Sequence, residues 1–170
     1  MSKHSKDTRS HPIGAPLRHD HVIEQHEHDP YKSDRKPPEP TACPDCGALF
    51  RAGRWQWAAA PADAHQQRCP ACRRIHDKFP AGYVTVGGDY FRLHREELLH
   101  LIANVGERAK QEHPLERIIA IEERPDEVTV TTTDSHLARG IGEALHHACH
   151  GELQFRYLEE DNLLRVHWQR

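Results

Sequence analysis

From residue 83 to the end of the chain, apolar and polar positions alternate with two different periods, and the switches between them mark out elements. Tyr83-Val84-Thr85-Val86 and Tyr90-Phe91 are β-branched or aromatic and flank Gly87-Gly88, which predicts a strand or a tight hairpin. Leu98, Leu101, Ile102, Val105 and Ala109 then recur at helical spacing, and Pro114 stops the helix. Ile118-Ile119-Ala120-Ile121 and Val128-Thr129-Val130-Thr131 flank a Pro125-Asp126 turn and predict an antiparallel pair. A second helix follows, capped by Thr133 or Asp134 and closed by Gly151. Its apolar face holds Leu137, Ala138, Ile141, Ala144, Leu145, Ala148 and Cys149. Leu153, Phe155 and Tyr157, then Leu164, Val166 and Trp168, alternate with polar neighbours on either side of an Asp161-Asn162 turn, a closing hairpin.

The predicted order over 83–170 is therefore strand, helix, strand, strand, helix, strand, strand. It matches the βαββαβ split motif of ferredoxin-like sandwiches with one added strand, an α+β class in which two helices cover one face of an antiparallel sheet.

Upstream the periodicity is lost. Residues 1–40 hold six prolines, six histidines and fourteen charges against scattered apolar positions such as Ile13, Leu17, Val22 and Ile23. They bury too little to offset the entropy of ordering, so a disordered His/Pro-rich tail is expected. Lys36-Pro37-Pro38-Glu39-Pro40 reads as a stiff spacer into the next segment. The domain reading is tail 1–40, zinc ribbon 41–82 and α+β domain 83–170.

The ribbon reading comes from four cysteines. Cys43-Pro44-Asp45-Cys46 and Cys69-Pro70-Ala71-Cys72 are two Cys-x-x-Cys pairs with 22 residues between them. Two residues between thiolates let both reach one ion at about 2.3 Å, and two such turns complete a tetrahedron. Zn2+ is the expected cofactor, with Cys43, Cys46, Cys69 and Cys72 as ligands; an iron–sulfur centre or a metal-free thiol pair is the alternative. Four thiolates close the coordination shell, so the site is expected to fold the chain rather than catalyse.

Charge then narrows the partners. Net charge is −3, from seven basic and seven acidic residues in 1–40, six and three in 41–82, and ten and sixteen in 83–170. The middle segment is thus the natural contact for phosphate. Arg51, Arg54, Trp55, Trp57, Arg68, Arg73, Arg74 and Lys78 lie within it. Guanidinium groups fork onto phosphates and indoles stack on unpaired bases, so Arg51, Arg54, Trp55, Trp57, Arg73 and Arg74 are the candidate RNA contacts. The plain alternative has the arginines solvated and the tryptophans filling a small core round the ion.

Other features carry less. The six tail histidines are irregularly spaced, and His146, His147 and His150 fall on the polar face of the second helix, where solvation explains them. The Thr131–His136 turn can take an anion at a helix start, but capping satisfies the same groups. Cys149 falls on an apolar face as inert packing. No nucleophile–base pair, phosphate loop or paired carboxylates stand out, so no enzyme is expected. No apolar run reaches the roughly 18 residues of a membrane span and no secretory core opens the chain, so a cytoplasmic protein without membrane contact is expected. Hydrophobic residues make up 36% of the chain and charged ones 29%, consistent with an unfolded part.

CPDCGALFRAGRWQW, CPACRRIHDKFPAGYV, EHPLERI and VTTTDSHLARGIGEAL together resemble a family of short, uncharacterised bacterial zinc-ribbon proteins over about residues 41 to 170. More distantly, the cysteine pairs followed by a His-Pro…Arg-Ile strand resemble the N-terminal part of the 60S ribosomal export adaptors of archaea and eukaryotes. The resemblance implies Cys43, Cys46, Cys69 and Cys72 as zinc ligands and the α+β unit as a ribosome-facing module. This chain has one set of four cysteines where the adaptors carry two, and it lacks their remaining domains. Export has no meaning in a bacterium. What the resemblance leaves is binding to ribosomal RNA or a ribosomal subunit, with stress as its occasion. A protein–protein adaptor using the ribbon and the exposed sheet is the competing expectation.

Overall fold

The computed structural model describes residues 31, 36–158 and 163–170, so most of the expected tail and the Asp161-Asn162 turn lie outside the described residues. Residues 41–66 make a small sheet of β1 (Thr41–Ala42), β2 (Leu49–Arg51), β3 (Arg54–Gln56) and β4 (His65–Gln66), in the order β3-β2-β1-β4. Helix α1 (Pro70–Asp77) follows, opened by Cys69 as its cap, with Pro70 at the position where a missing N–H costs nothing. No helical period marks it in advance, because Cys69 and Cys72 occupy the places that an apolar stripe would take. Lys78, in the left-handed conformation at φ 51°, ends it.

The second unit comprises β5 (Gly82–Gly87), α2 (Asp89–Leu93), α3 (Arg95–Glu112), β6 (Ile118–Glu123), β7 (Glu127–Thr132), α4 (Ser135–Cys149), β8 (Glu152–Leu158) and β9 (Leu163–Gln169). Tyr90-Phe91 belongs to α2, not to a hairpin partner of β5. Gly88 turns the chain there at φ +95°, and a Cβ on it would meet the Arg170 carbonyl oxygen at 2.5 Å. The chain end thus passes where a hairpin strand would run, and Tyr90 N–H donates to Arg170 O at 2.7 Å.

The five strands lie in the order β6-β7-β5-β9-β8. The β5-α3-β6 crossover with β7 inserted between its strands is the expected split unit. The sheet is mixed, however, and not wholly antiparallel: β9 sits beside β5 and runs parallel to it, with Val84 opposite Val166 and Val86 opposite Trp168. Burial explains which strand of the last hairpin goes inside. Leu164, Val166 and Trp168 of β9 are all buried, whereas β8 exposes Phe155. The more apolar strand takes the central place, and the hairpin's reversal makes it parallel to β5.

Val84, Val86, Val128, Val130, Leu164, Val166 and Trp168 share one sheet face, and Leu98, Ile102, Leu137, Ile141 and Leu145 from α3 and α4 cover it. Cys149 is buried in this core, as packing would have it. Among the described residues, no helix is long and apolar enough to cross a membrane.

Candidate metal centre

The first cysteine pair lies on the turn that joins β1 to β2. Ala42 pairs with Leu49, Cys43 N–H donates to Ala48 O at 2.8 Å, and Gly47 closes the turn with its N–H on Cys43 O at 2.9 Å and φ +78°. The second pair is placed differently from a second β-turn. Cys69 caps α1 and Cys72 sits in its first turn, so the helix's free amides face sulfur: Cys72 N–H donates to Cys69 Sγ at 3.4 Å. Cys69 N–H in turn donates to Cys43 Sγ at 3.3 Å.

These elements bring the sulfurs of Cys43, Cys46, Cys69 and Cys72 within 4.8 Å of one another, and none is in a disulfide. Tetrahedral coordination at about 2.3 Å demands sulfur–sulfur edges of about 3.8 Å. Cys46 Sγ and Cys69 Sγ lie 3.8 Å apart. The donor set therefore fits a tetrahedral thiophilic ion such as zinc, which would be held by these four side chains alone. Cys43, Cys69 and Cys72 are buried, and Cys46 is half-buried.

A fifth side chain completes the centre: the arginine of the His-Pro…Arg-Ile motif, for which the sequence alone indicates no role at the metal. Arg117, 8% exposed and lying just before β6, donates to Cys46 Sγ at 3.1 Å, Cys72 Sγ at 3.2 Å and Cys69 Sγ at 3.7 Å. Its Nε donates to Pro114 O at 2.7 Å, and its backbone is tied to Thr133 by hydrogen bonds of 2.8 and 2.9 Å. Four thiolates round a divalent ion leave two net negative charges, and the guanidinium offsets one of them. Burial works against the Arg117 charge, but the sulfur acceptors outweigh it and hold the group protonated more firmly than usual. Burial likewise pushes the Cys72 thiol up to about 11 and raises that of Cys69. At Cys43 burial is outweighed by amide donors from Cys69, Cys46 and Asp45, which bring the thiol down to about 7.

Of the six side chains expected to meet RNA, Arg51, Arg54 and Trp57 are exposed, Trp55 and Arg73 are half-buried, and Arg74 is buried. Arg51 and Arg54 are exposed and stand directly opposite each other where β2 turns into β3. Trp55 is half-buried, tilted against Phe50 at 5.5 Å and packed on the cysteine cluster. Trp57 is 40% exposed; its Nε1 donates to Lys110 O at 2.6 Å and its ring lies 5.7 Å from the Arg117 guanidinium. Arg73 is half-buried on α1. Arg74 is 4% exposed, donates to Phe79 O at 3.1 Å and lies over the Tyr31 ring at 4.5 Å. Arg68 pairs with Asp45 across the two knuckles.

A cleft of about 560 Å³ opens beside Cys46, walled by Trp57, Lys110, Arg117, Ile118 and Ile121. Comparison with known protein families, curated proteins and solved structures finds no match to this chain.

Proposed function

We propose that this is a non-enzymatic zinc protein that binds RNA or a ribosomal subunit, with the metal serving structure. The observation that carries the zinc part is the set of four sulfurs within 4.8 Å of one another, capped by a buried guanidinium. Such a shell leaves no open position at which water or substrate would bind, which argues for a folding role. Support for the RNA part is the exposed Arg51–Arg54 pair, where two cations face each other with no carboxylate bonded to either among the described residues. Phosphate would bridge such a pair. The resemblance to ribosome-binding adaptors points the same way. A protein adaptor is the second reading, favoured by the cleft in which Trp57 and Ile121 are 40% and 39% exposed.

Two measurements test the proposal. Purified protein should carry about one equivalent of zinc, and Cys69→Ser should lose it; iron with visible absorbance, or no metal, refutes the zinc reading. Co-sedimentation with ribosomes over a range of salt separates RNA from protein partners. Arg51→Gln with Arg54→Gln should weaken it and flatten the slope of log affinity against log salt by roughly 0.7 to 0.9 for each phosphate no longer neutralised. Wild-type sedimentation by that variant would remove the turn as the RNA surface, and sedimentation that does not respond to salt would move the adaptor reading ahead.

A further inference from the structure

The face of the five-stranded sheet that α3 and α4 leave open carries a second, separate arrangement of cations. Register places Tyr83 of β5, Arg165 of β9 and Arg156 of β8 in one row across three strands, and Thr85, His167 and Gln154 in the next. Arg156 and Arg165 are exposed and directly opposite each other. Like charges so placed repel, and neither guanidinium bonds a carboxylate among the described residues. Glu152, at the end of the same face, is already taken by the amides of Gln154 at 2.5 Å and Gln169 at 2.8 Å. The residues of both rows, with Phe155 and Val166, line a concavity of about 260 Å³.

Charge elsewhere in the unit makes this cluster pointed. Residues 83–170 hold ten basic and sixteen acidic side chains, yet the rows over β5, β9 and β8 contain arginine, histidine, tyrosine, threonine and glutamine and no acid. An anion is the ligand that turns the repulsive pair into a bridged one. The Arg165 guanidinium also lies over the Tyr83 ring, 4.9 Å from its centroid, within reach of a cation–π contact that backs it from the sheet side. A guanidinium plane so supported offers its outer face for stacking by an unpaired base. A protein partner would want an apolar centre to its interface, and apart from the covered Tyr83 ring these rows supply none.

We propose that this open face, over β5, β9 and β8, is a platform for single-stranded RNA: Arg165, backed by Tyr83, stacks on an unpaired base while Arg156 takes the adjoining phosphate. The platform is distinct from the Arg51–Arg54 turn and stands or falls separately from it. Both arginines are exposed, so their replacement leaves the core and the cysteine centre intact.

The test titrates full-length, zinc-loaded protein into a fluorescein-labelled oligouridylate and reads anisotropy across a range of salt. Arg156→Gln should lower the slope of log affinity against log salt by about 0.7, the value of one phosphate neutralised on a single strand. Arg165→Lys keeps the charge but loses the plane, so it should weaken binding about tenfold with the slope unchanged. Arg51→Gln with Arg54→Gln should leave these two effects in place. The platform is overturned if wild-type protein does not bind the oligouridylate, or binds duplex RNA equally well. It is equally overturned if the sheet variants bind as wild type does while the Arg51/Arg54 variant loses binding, which would leave the turn as the RNA surface.

Discussion

Arg117 shows how one side chain decides the character of a site whose ligands are visible in the sequence. A buried cation without partners costs several kcal/mol, and here its partners are three cysteine sulfurs contributed by the other unit. Arg117→Met should therefore lower zinc affinity about 10–100-fold, the usual effect of losing a partner of metal ligands, as measured by competition with a chromophoric chelator. An unchanged affinity would mean that the guanidinium merely fills space. The thiols give a second prediction. An ordinary cysteine thiol ionises near about 8.5, so without metal the thiols are largely protonated at neutral pH and must ionise to bind it. Zinc loading should then release protons, seen by calorimetry as a binding heat that depends on the buffer's ionisation enthalpy, and affinity should fall as pH falls. Cys-x-x-Cys spacing is a local signal and is legible at once. The role of Arg117 is not, although the residue stands in the His-Pro…Arg-Ile motif, because nothing in Glu116-Arg117-Ile118 tells a buried arginine from a solvated one. The sulfurs that stabilise it in the interior lie far away along the chain.

At the scale of elements, the parts that local patterning controls are readable and those that distant packing controls are not. The β6–β7 hairpin, α3 and α4 follow the periods and the punctuation of Pro114, Pro125 and Asp134 closely. Tyr90-Phe91 is ambiguous because Gly87-Gly88 suits a hairpin equally well, and only the passing chain end at Arg170 decides the matter. The inner place of β9 likewise depends on competition between two strands for the same neighbour. The α4 cap offers a test of the local kind. Asp134 accepts from His136 N–H at 2.7 Å and meets the His136 ring at 3.0 Å. Burial alone would raise the Asp134 carboxyl, but His136 outweighs it and holds it below the ordinary range. The same interaction raises His136 against the opposing effect of burial. The carboxylate's contribution is present above the unfolded value of about 3.9 and lost as pH falls through the folded one. The imidazolium's is complete below about 6.5 and lost as pH rises through its raised value. Asp134→Ala should cost about 1 kcal/mol, or about 2–4 °C in melting midpoint, from removal of the cap. That cost should be larger near about pH 5 than near about pH 9, where the imidazolium is gone. An equal cost at both would show that the ring contributes nothing to the cap.

Across the whole molecule, the cysteine centre doubles as the clasp between its two units. Arg117 reaches three sulfurs, Leu115 packs on the cysteine cluster, and Trp57 donates to Lys110 O of α3 at 2.6 Å. The core of the α+β unit, by contrast, contains no residue of the segment 41–80. Removing the metal should therefore act unevenly. Beyond the cysteines the small sheet and α1 bury only Ala42, Ala48, Leu49, Phe50 and Ala71 as apolar core, too little to hold them alone, so they should unfold when thiolates become thiols. The larger core should survive. The three tryptophans report on this separately. Trp55 and Trp57 border the cysteine centre, while Trp168 is fully buried in the large core and donates to His150 O at 2.7 Å. Chelating the zinc should shift the emission of the wild-type protein to the red as Trp55 and Trp57 meet water, with the far-ultraviolet dichroism of α3 and α4 retained. In a Trp55→Phe, Trp57→Phe variant the remaining emission of Trp168 should stay where it was. If that variant also shifts to the red on chelation, or if the helical signal collapses, the clasp supports the large core as well. Zinc would then be a requirement for the whole fold and not for the small unit alone.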